Sequence, residues 1–195
     1  MNDQFDPKKE VEPQNGSAAV KTKSIQREIL EWVLAIVIAV ILALIIRETL
    51  FTVVKVDGAS MQNTLQHNDR LIVWRLGYEP KAGDIIVLQQ EGKDPYIKRV
   101  IATEGQEVNI DFVTHEVSVD GVVLDEPYIK EPTSRRGDVT FPVVVPDDCV
   151  FVMGDNRNNS MDSRVSSVGM VENDDVMGKA VLRIFPFQEF GLLTH

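Results

Sequence analysis

A mainly β domain behind a single N-terminal membrane helix is the architecture this sequence predicts, and three observations predict it. Residues 32–46 are fifteen consecutive uncharged, almost wholly apolar residues. After residue 50 the apolar residues instead come in short runs of three to seven, separated by turn residues. No segment of that outer part keeps a long amphipathic period, so strands rather than helices must bury its core.

The first element is the helix. Counted from Ile29 to Ile46, it spans about 27 Å at about 1.5 Å per residue, close to the thickness of a hydrocarbon core. A core helix of a soluble domain carries a polar face, and this stretch has none. A cleaved secretory signal carries a small-x-small site after its apolar run, whereas this run ends in Ile45-Ile46-Arg47-Glu48. An uncleaved anchor over residues 29–48 is therefore expected, with residues 1–28 as a polar tail whose first 24 residues are disordered. Lys21, Lys23 and Arg27 precede the run and only Arg47 follows closely, which places the tail in the cytoplasm and residues 49–195 outside it.

Strands are expected over 51–56, 70–76, 84–89, 96–102, 108–112, 116–119, 122–124, 143–145, 150–153 and 179–185, with a loop over 128–142. Asp120-Gly121 between two such runs signals a two-residue hairpin, because a type I′ turn needs positive φ at both central positions. The net charge of -10 argues against a nucleic-acid partner. Cys149 is the only cysteine, so no intrachain disulfide forms, and its run Cys149-Val150-Phe151-Val152 reads as a buried strand with the thiol as a small core hydrophobe. His67, His115 and His195 have no metal-ligand spacing, so neither metal nor cofactor is expected.

Chemistry is suggested by three stretches. Ser60 lies in Gly58-Ala59-Ser60-Met61, and a serine nucleophile requires a base, a group positioning the base, and donors for an oxyanion. Lys98 and Arg99 stand in the otherwise apolar run Tyr96-Ile97-Lys98-Arg99-Val100-Ile101-Ala102, where alternation sets Lys98 beside Tyr96, Val100 and Ala102, and Arg99 beside Ile97 and Ile101. A buried lysine escapes the cost of its charge by losing its proton and so becomes a base; an arginine stays charged and needs a carboxylate. The polar stretch from Gly154 to Arg164 follows an apolar strand and offers Asp155 for Arg99, Asp162 for Arg164, and Ser160 or Ser163 to hydrogen-bond an amine.

Gly154-Asp155-Asn156-Arg157-Asn158-Asn159-Ser160-Met161-Asp162-Ser163-Arg164 resembles the signature box of bacterial type I signal peptidases, and the family's other boxes appear in order. They are Ser60-Met61-x-x-Thr64, Gly83-Asp84-Ile85-Ile86 and Lys98-Arg99-Val100-Ile101, and the likeness runs from about residue 25 to the C-terminus. It implies a signal-peptidase or repressor-autoprotease-like β-domain with a small β-ribbon subdomain over about residues 107–148. It implies a membrane serine endopeptidase that removes signal peptides of secreted preproteins after Ala-x-Ala-like sites, with Ser60 as nucleophile and Lys98 as general base. Ser160 would then orient the Lys98 amine, and the Ser60 N–H with donors of the Gly58-Ala59 turn would hold the oxyanion. Asp155 with Arg99, and Asp162 with Arg164, would be supporting ion pairs. Substrate would lie as a strand alongside Val54 to Asp57 and Pro95 to Ile97, with Val56, Asp57, Met61 and Ile97 as binding residues and Met61 facing the bilayer.

The chain departs from the family at Asn63, where proline is usual, over Ala102-Thr103-Glu104-Gly105-Gln106, where Gly-x-Pro-Gly-Asp is usual, and at Gly58, where some members supply a serine hydroxyl to the oxyanion. The alternatives are an inactive membrane-tethered peptide binder, a self-cleaving repressor, which would need a DNA-binding part in front, and a Ser/His enzyme using His67 or His115.

Overall fold

The structure is a computed structural model that describes residues 25–193 apart from positions 91 and 93. The expected disorder of residues 1–24, the charges of Lys21 and Lys23, and His195 lie outside the described residues. The chain divides after Leu42 into two compact units, each considered by itself.

Helix α1 (Ile25–Leu50) extends beyond the expected span at both ends. Arg27 and Glu28 are good helix formers, so composition marks the apolar stretch more sharply than it marks where the helix begins. Its segment Ile25–Ile46 is 22 residues long, about 33 Å, long and apolar enough to cross a membrane, and none of it is buried within the protein.

From β1 (Phe51–Lys55) onward the second unit is antiparallel β-structure. One sheet runs in the order β1, β2 (Arg70–Trp74), β11 (Val176–Phe185), β3 (Ile85–Leu88), β4 (Tyr96–Thr103), β9 (Cys149–Met153) and β10 (Val171–Glu172), and β12 (Gly191–Leu192) adds to β11. The second sheet runs β7 (Val122–Val123), β6 (Glu116–Val119), β5 (Glu107–Asp111) and β8 (Val143–Val144). The Asp120-Gly121 turn joins β6 to β7 with φ of 51° and 78°, as a type I′ hairpin requires. β10 and β12 escaped the sequence reading because each is only two residues long, too short to show an apolar alternation, and is defined by its pairing with the preceding strand.

Three apolar clusters fill the unit. Val56, Met61, Leu65, Leu71, Val73, Ile85, Val87 and Ile97 form the first, beneath the loop that carries Ser60. Ile101 and Ala102 both belong to the second, with Phe151 and the inner face of the small sheet. That overturns the expected alternation at the end of β4: a bulge after Val100 in its pairing with β9 shifts the register by one residue. Met61 is only 2% exposed, which rules out the expected bilayer-facing position, because the loop turns its side chain down into the first cluster. Cys149 opens β9 but is only half-buried at the edge of the second cluster, not a core residue.

Candidate active site

The β1–β2 loop is closed at its base by Val56 N–H donating to Asp69 O (2.8 Å) and Asn68 N–H donating to Val56 O (2.9 Å). Met61 and Leu65 plug it into the core, so Ser60 projects from an anchored loop. Across from it, β4 carries Lys98, whose Nζ lies 3.0 Å from Ser60 Oγ and donates to Ile97 O at 2.9 Å. Lys98 is 4% exposed. Burial pushes its pKa down to about 8; the Asp162 carboxylate works against this, Arg164 adds to it, and Asp155 again opposes it. A lysine that gives up its proton near neutrality, in hydrogen-bond reach of a serine, has the chemistry of a general base.

The stretch after β9 holds this pair in place. Asn156 donates from its backbone N–H to Ser60 O and from Nδ2 to Ala59 O, both at 3.0 Å. Gly154 lets the two loops approach: a Cβ there would sit 2.4 Å from Ser60 O and 2.4 Å from Ser160 Oγ. Gly154→Ala is therefore expected to displace the nucleophile loop and lower kcat by about a hundredfold or more while the protein still folds, as steady-state cleavage with a thermal melt checks.

Asp155 is fully buried and accepts from Arg99 Nε (2.8 Å) and Nη2 (2.7 Å), while Thr64 Oγ1 donates to the same carboxylate. Arg99 also donates to Gly83 O and stacks 3.9 Å from the Tyr128 ring centroid. Asp162 accepts from Arg164 at 2.7 and 2.8 Å and from Gly154 N–H at 3.0 Å. Burial works to raise the Asp162 pKa, but Arg164, the Gly154 N–H and the Ser160 hydroxyl outweigh it and hold the group below the usual carboxylate range. Ser160 is buried near Asp162, and its Oγ makes no hydrogen bond of regular geometry, to Lys98 or otherwise. Ser163 Oγ accepts the Val152 N–H at 3.0 Å, tying the polar stretch back to β9.

Gly58 (φ +87°) donates its N–H to His67 Nδ1 at 3.3 Å, so this donor is engaged within the loop. No hydrogen bond among the described residues uses the N–H groups of Ala59 or Ser60. Of the four expected substrate-binding residues, only Asp57 borders the cavity at Ser60, whereas Val56, Met61 and Ile97 are core residues below it. That cavity, of about 590 Å³, is walled by residues 57–60, Tyr96, Lys98, Met161 and Val168. Neither His67 nor His115 hydrogen-bonds Ser60, and no group of residues suited to a metal ion occurs among the described residues.

The sequence reading missed two partners. Glu126 binds Arg157 through two contacts of 2.5 and 2.7 Å, and Tyr128 lies against Arg99. Both come from the connection after β7, and their signal, a carboxylate and a ring on either side of Pro127, is indistinguishable in sequence from loop composition.

A family match described as signal peptidase, peptidase S26, spans residues 29–185. Among curated relatives, signal peptidase I S of Bacillus subtilis is 39% identical over 84% of this chain and 93% of its own length. Signal peptidase I T of the same species is 40% identical over 91% of this chain and 96% of its own. The chain belongs to the signal peptidase family, peptidase S26. A solved signal peptidase I from Enterococcus faecalis is 27% identical and matches 52% of this chain and 97% of its own, with a TM-score of 0.45. Membership makes the chain a hydrolase of the serine peptidase class, in agreement with the resemblance read from the sequence boxes.

Proposed function

We propose that the protein is an endopeptidase that removes N-terminal signal peptides from secreted preproteins, with Ser60 as nucleophile and Lys98 as general base. The observation that carries this reading is the 3.0 Å approach of a buried lysine Nζ, its pKa pushed down to about 8, to Ser60 Oγ. Neutral Lys98 takes the Ser60 proton as Oγ attacks the scissile carbonyl carbon, and the oxyanion is received by the Ala59 and Ser60 N–H groups. Protonated Lys98 then gives its proton to the departing amine, leaving an acyl-serine. Water attacks that ester with Lys98 again as base, restoring Ser60 and releasing the signal peptide carboxylate. Ser160 turns its hydroxyl from the neighbourhood of Asp162 to the amine once substrate closes the cleft.

Two strand edges suit an extended substrate. β1 pairs only with β2, and β4 pairs with β9 only from Arg99 onward, so residues 51–57 and 95–98 each keep an open side. Short side chains at the first and third positions before the cut, of the Ala-x-Ala kind, would enter the cavity beside Ser60, with Asp57 at its rim and Val56, Met61 and Ile97 shaping it from below. Helix α1 anchors the enzyme in the cell membrane with its N-terminus in the cytoplasm. The extracytoplasmic domain starts at about residue 49 and includes a small β subdomain over about residues 107–148.

Incubating the full-length protein in detergent with an Ala-x-Ala precursor, beside Ser60→Ala, and mapping the cut by mass spectrometry tests the reading. No cut, or a cut made equally by the variant, refutes it. Only the neutral amine is active, so kcat/KM should climb about tenfold per pH unit below about 8 and level off above it. A profile flat through pH 8 would place the base elsewhere.

A further inference from the structure

The geometry points to His67 as a positioning residue for the nucleophile, an inference that rests on the reading above. Ser60 and the two N–H groups facing its oxyanion sit on a turn that begins at Gly58. The carbonyl side of that turn is held by Asn156 through Ala59 and Ser60. At its leading end Gly58 is in the left-handed region at φ +87°, and a Cβ built on it would meet nothing within 4 Å. The hydrogen bond that fixes this end is the Gly58 N–H to His67 Nδ1, at 3.3 Å.

His67 is well planted for the task. It lies on the returning limb of the same loop, between buried Leu65 and Asp69. Asp69 is itself fixed by the Gln66 N–H at 2.9 Å and by Arg183 at 3.1 Å. The next residue, Asn68, closes the loop base through its N–H to Val56 O. A ring on a fixed limb therefore reaches back to an unsupported glycine two residues before the nucleophile.

The bond also sets the ring's state. Nδ1 accepts from Gly58 only when it carries no proton, with the neutral ring protonated at Nε2. Asp57 Oδ1 lies 3.2 Å from the same nitrogen, and it is the only charged group in an ion pair with the ring among the described residues. A proton on Nδ1 would point at this carboxylate and present an N–H to the Gly58 N–H, so one nitrogen cannot serve both neighbours. Lys98 takes the proton, and His67 holds the nucleophile and its oxyanion donors in line through the Gly58 N–H.

Steady-state cleavage of the Ala-x-Ala precursor by the full-length wild type, His67→Ala and His67→Asn tests this. In His67→Asn the amide Oδ1 stands where Nδ1 stood and accepts the Gly58 N–H without titrating. His67→Ala should lose about tenfold or more in kcat with KM changed less than about twofold, since the loss is of alignment and not of substrate contact. His67→Asn should recover to within about threefold of wild type. Wild-type kcat in His67→Ala, or no recovery in His67→Asn, would each overturn the role of His67. A wild type that does not cleave would instead overturn the functional reading on which it rests.

Discussion

Ser60→Ala and Lys98→Met are each expected to reduce precursor cleavage by at least about a thousandfold without unfolding the protein. In the proposed reaction Ser60 Oγ supplies the bond-forming oxygen, and among the described residues Lys98 Nζ hydrogen-bonds only Ser60 Oγ and Ile97 O. The two losses should not add: a nucleophile without its base and a base without its nucleophile are equally idle, so the double variant matches the singles. Thermal melts separate loss of chemistry from loss of fold. Lys98→Met keeps an apolar stem in a site 4% exposed and removes a cation whose burial is unfavourable, so its melting temperature at pH 7 should be no lower than wild type. Turnover within tenfold of wild type in either single variant would remove these residues from the reaction.

Asp155→Ala destabilises the folded domain by about 3–5 kcal/mol, the cost of stranding a buried charge. Arg99 and Asp155 are 1% and 0% exposed, joined by two bonds of 2.7 and 2.8 Å, and Thr64 spends its hydroxyl on the same carboxylate. Without it the guanidinium keeps only the Gly83 carbonyl and the face of Tyr128, neither of which neutralises it. Denaturant unfolding measures the loss, and a second substitution identifies its origin. Asp155→Ala with Arg99→Met should recover a large part of the stability, because the penalty lies in the orphaned cation more than in the missing contact. If the double variant is less stable than the single one, the pair holds the fold by attraction, not by mutual neutralisation.

The candidate site was legible in the sequence where the residue type itself is improbable. Two cations inside the apolar run of β4 stand out because such groups are costly among apolar residues unless paired or neutral, whereas the polar cluster where β9 ends has the composition of an ordinary loop and matters as a source of partners for them. The pairings of Arg99 with Asp155 and of Arg164 with Asp162 followed from that cost, and both occur in the structure. Glu126, Tyr128 and Thr64 were not legible. Their partners lie 31, 29 and 91 positions away, and a polar residue in a loop looks the same in sequence whether it faces water or a buried arginine.

By itself the sequence determined the helix with no polar face, most of the strand set, the Asp120-Gly121 hairpin and the residue types available for catalysis. Each is settled by local chemistry: hydropathy along the chain, φ preferences at a turn, or the cost of burying a charge. Only the tertiary structure decided that Met61 is core and not surface, that a bulge after Val100 breaks the alternation of β4, and that Lys98 comes to 3.0 Å from a serine 38 residues earlier. It also gave the Gly58 N–H to His67 and left the Ala59 and Ser60 N–H groups without a hydrogen-bond partner among the described residues. These depend on which distant segments close over one another, and the burial that lowers the Lys98 pKa exists only once they have.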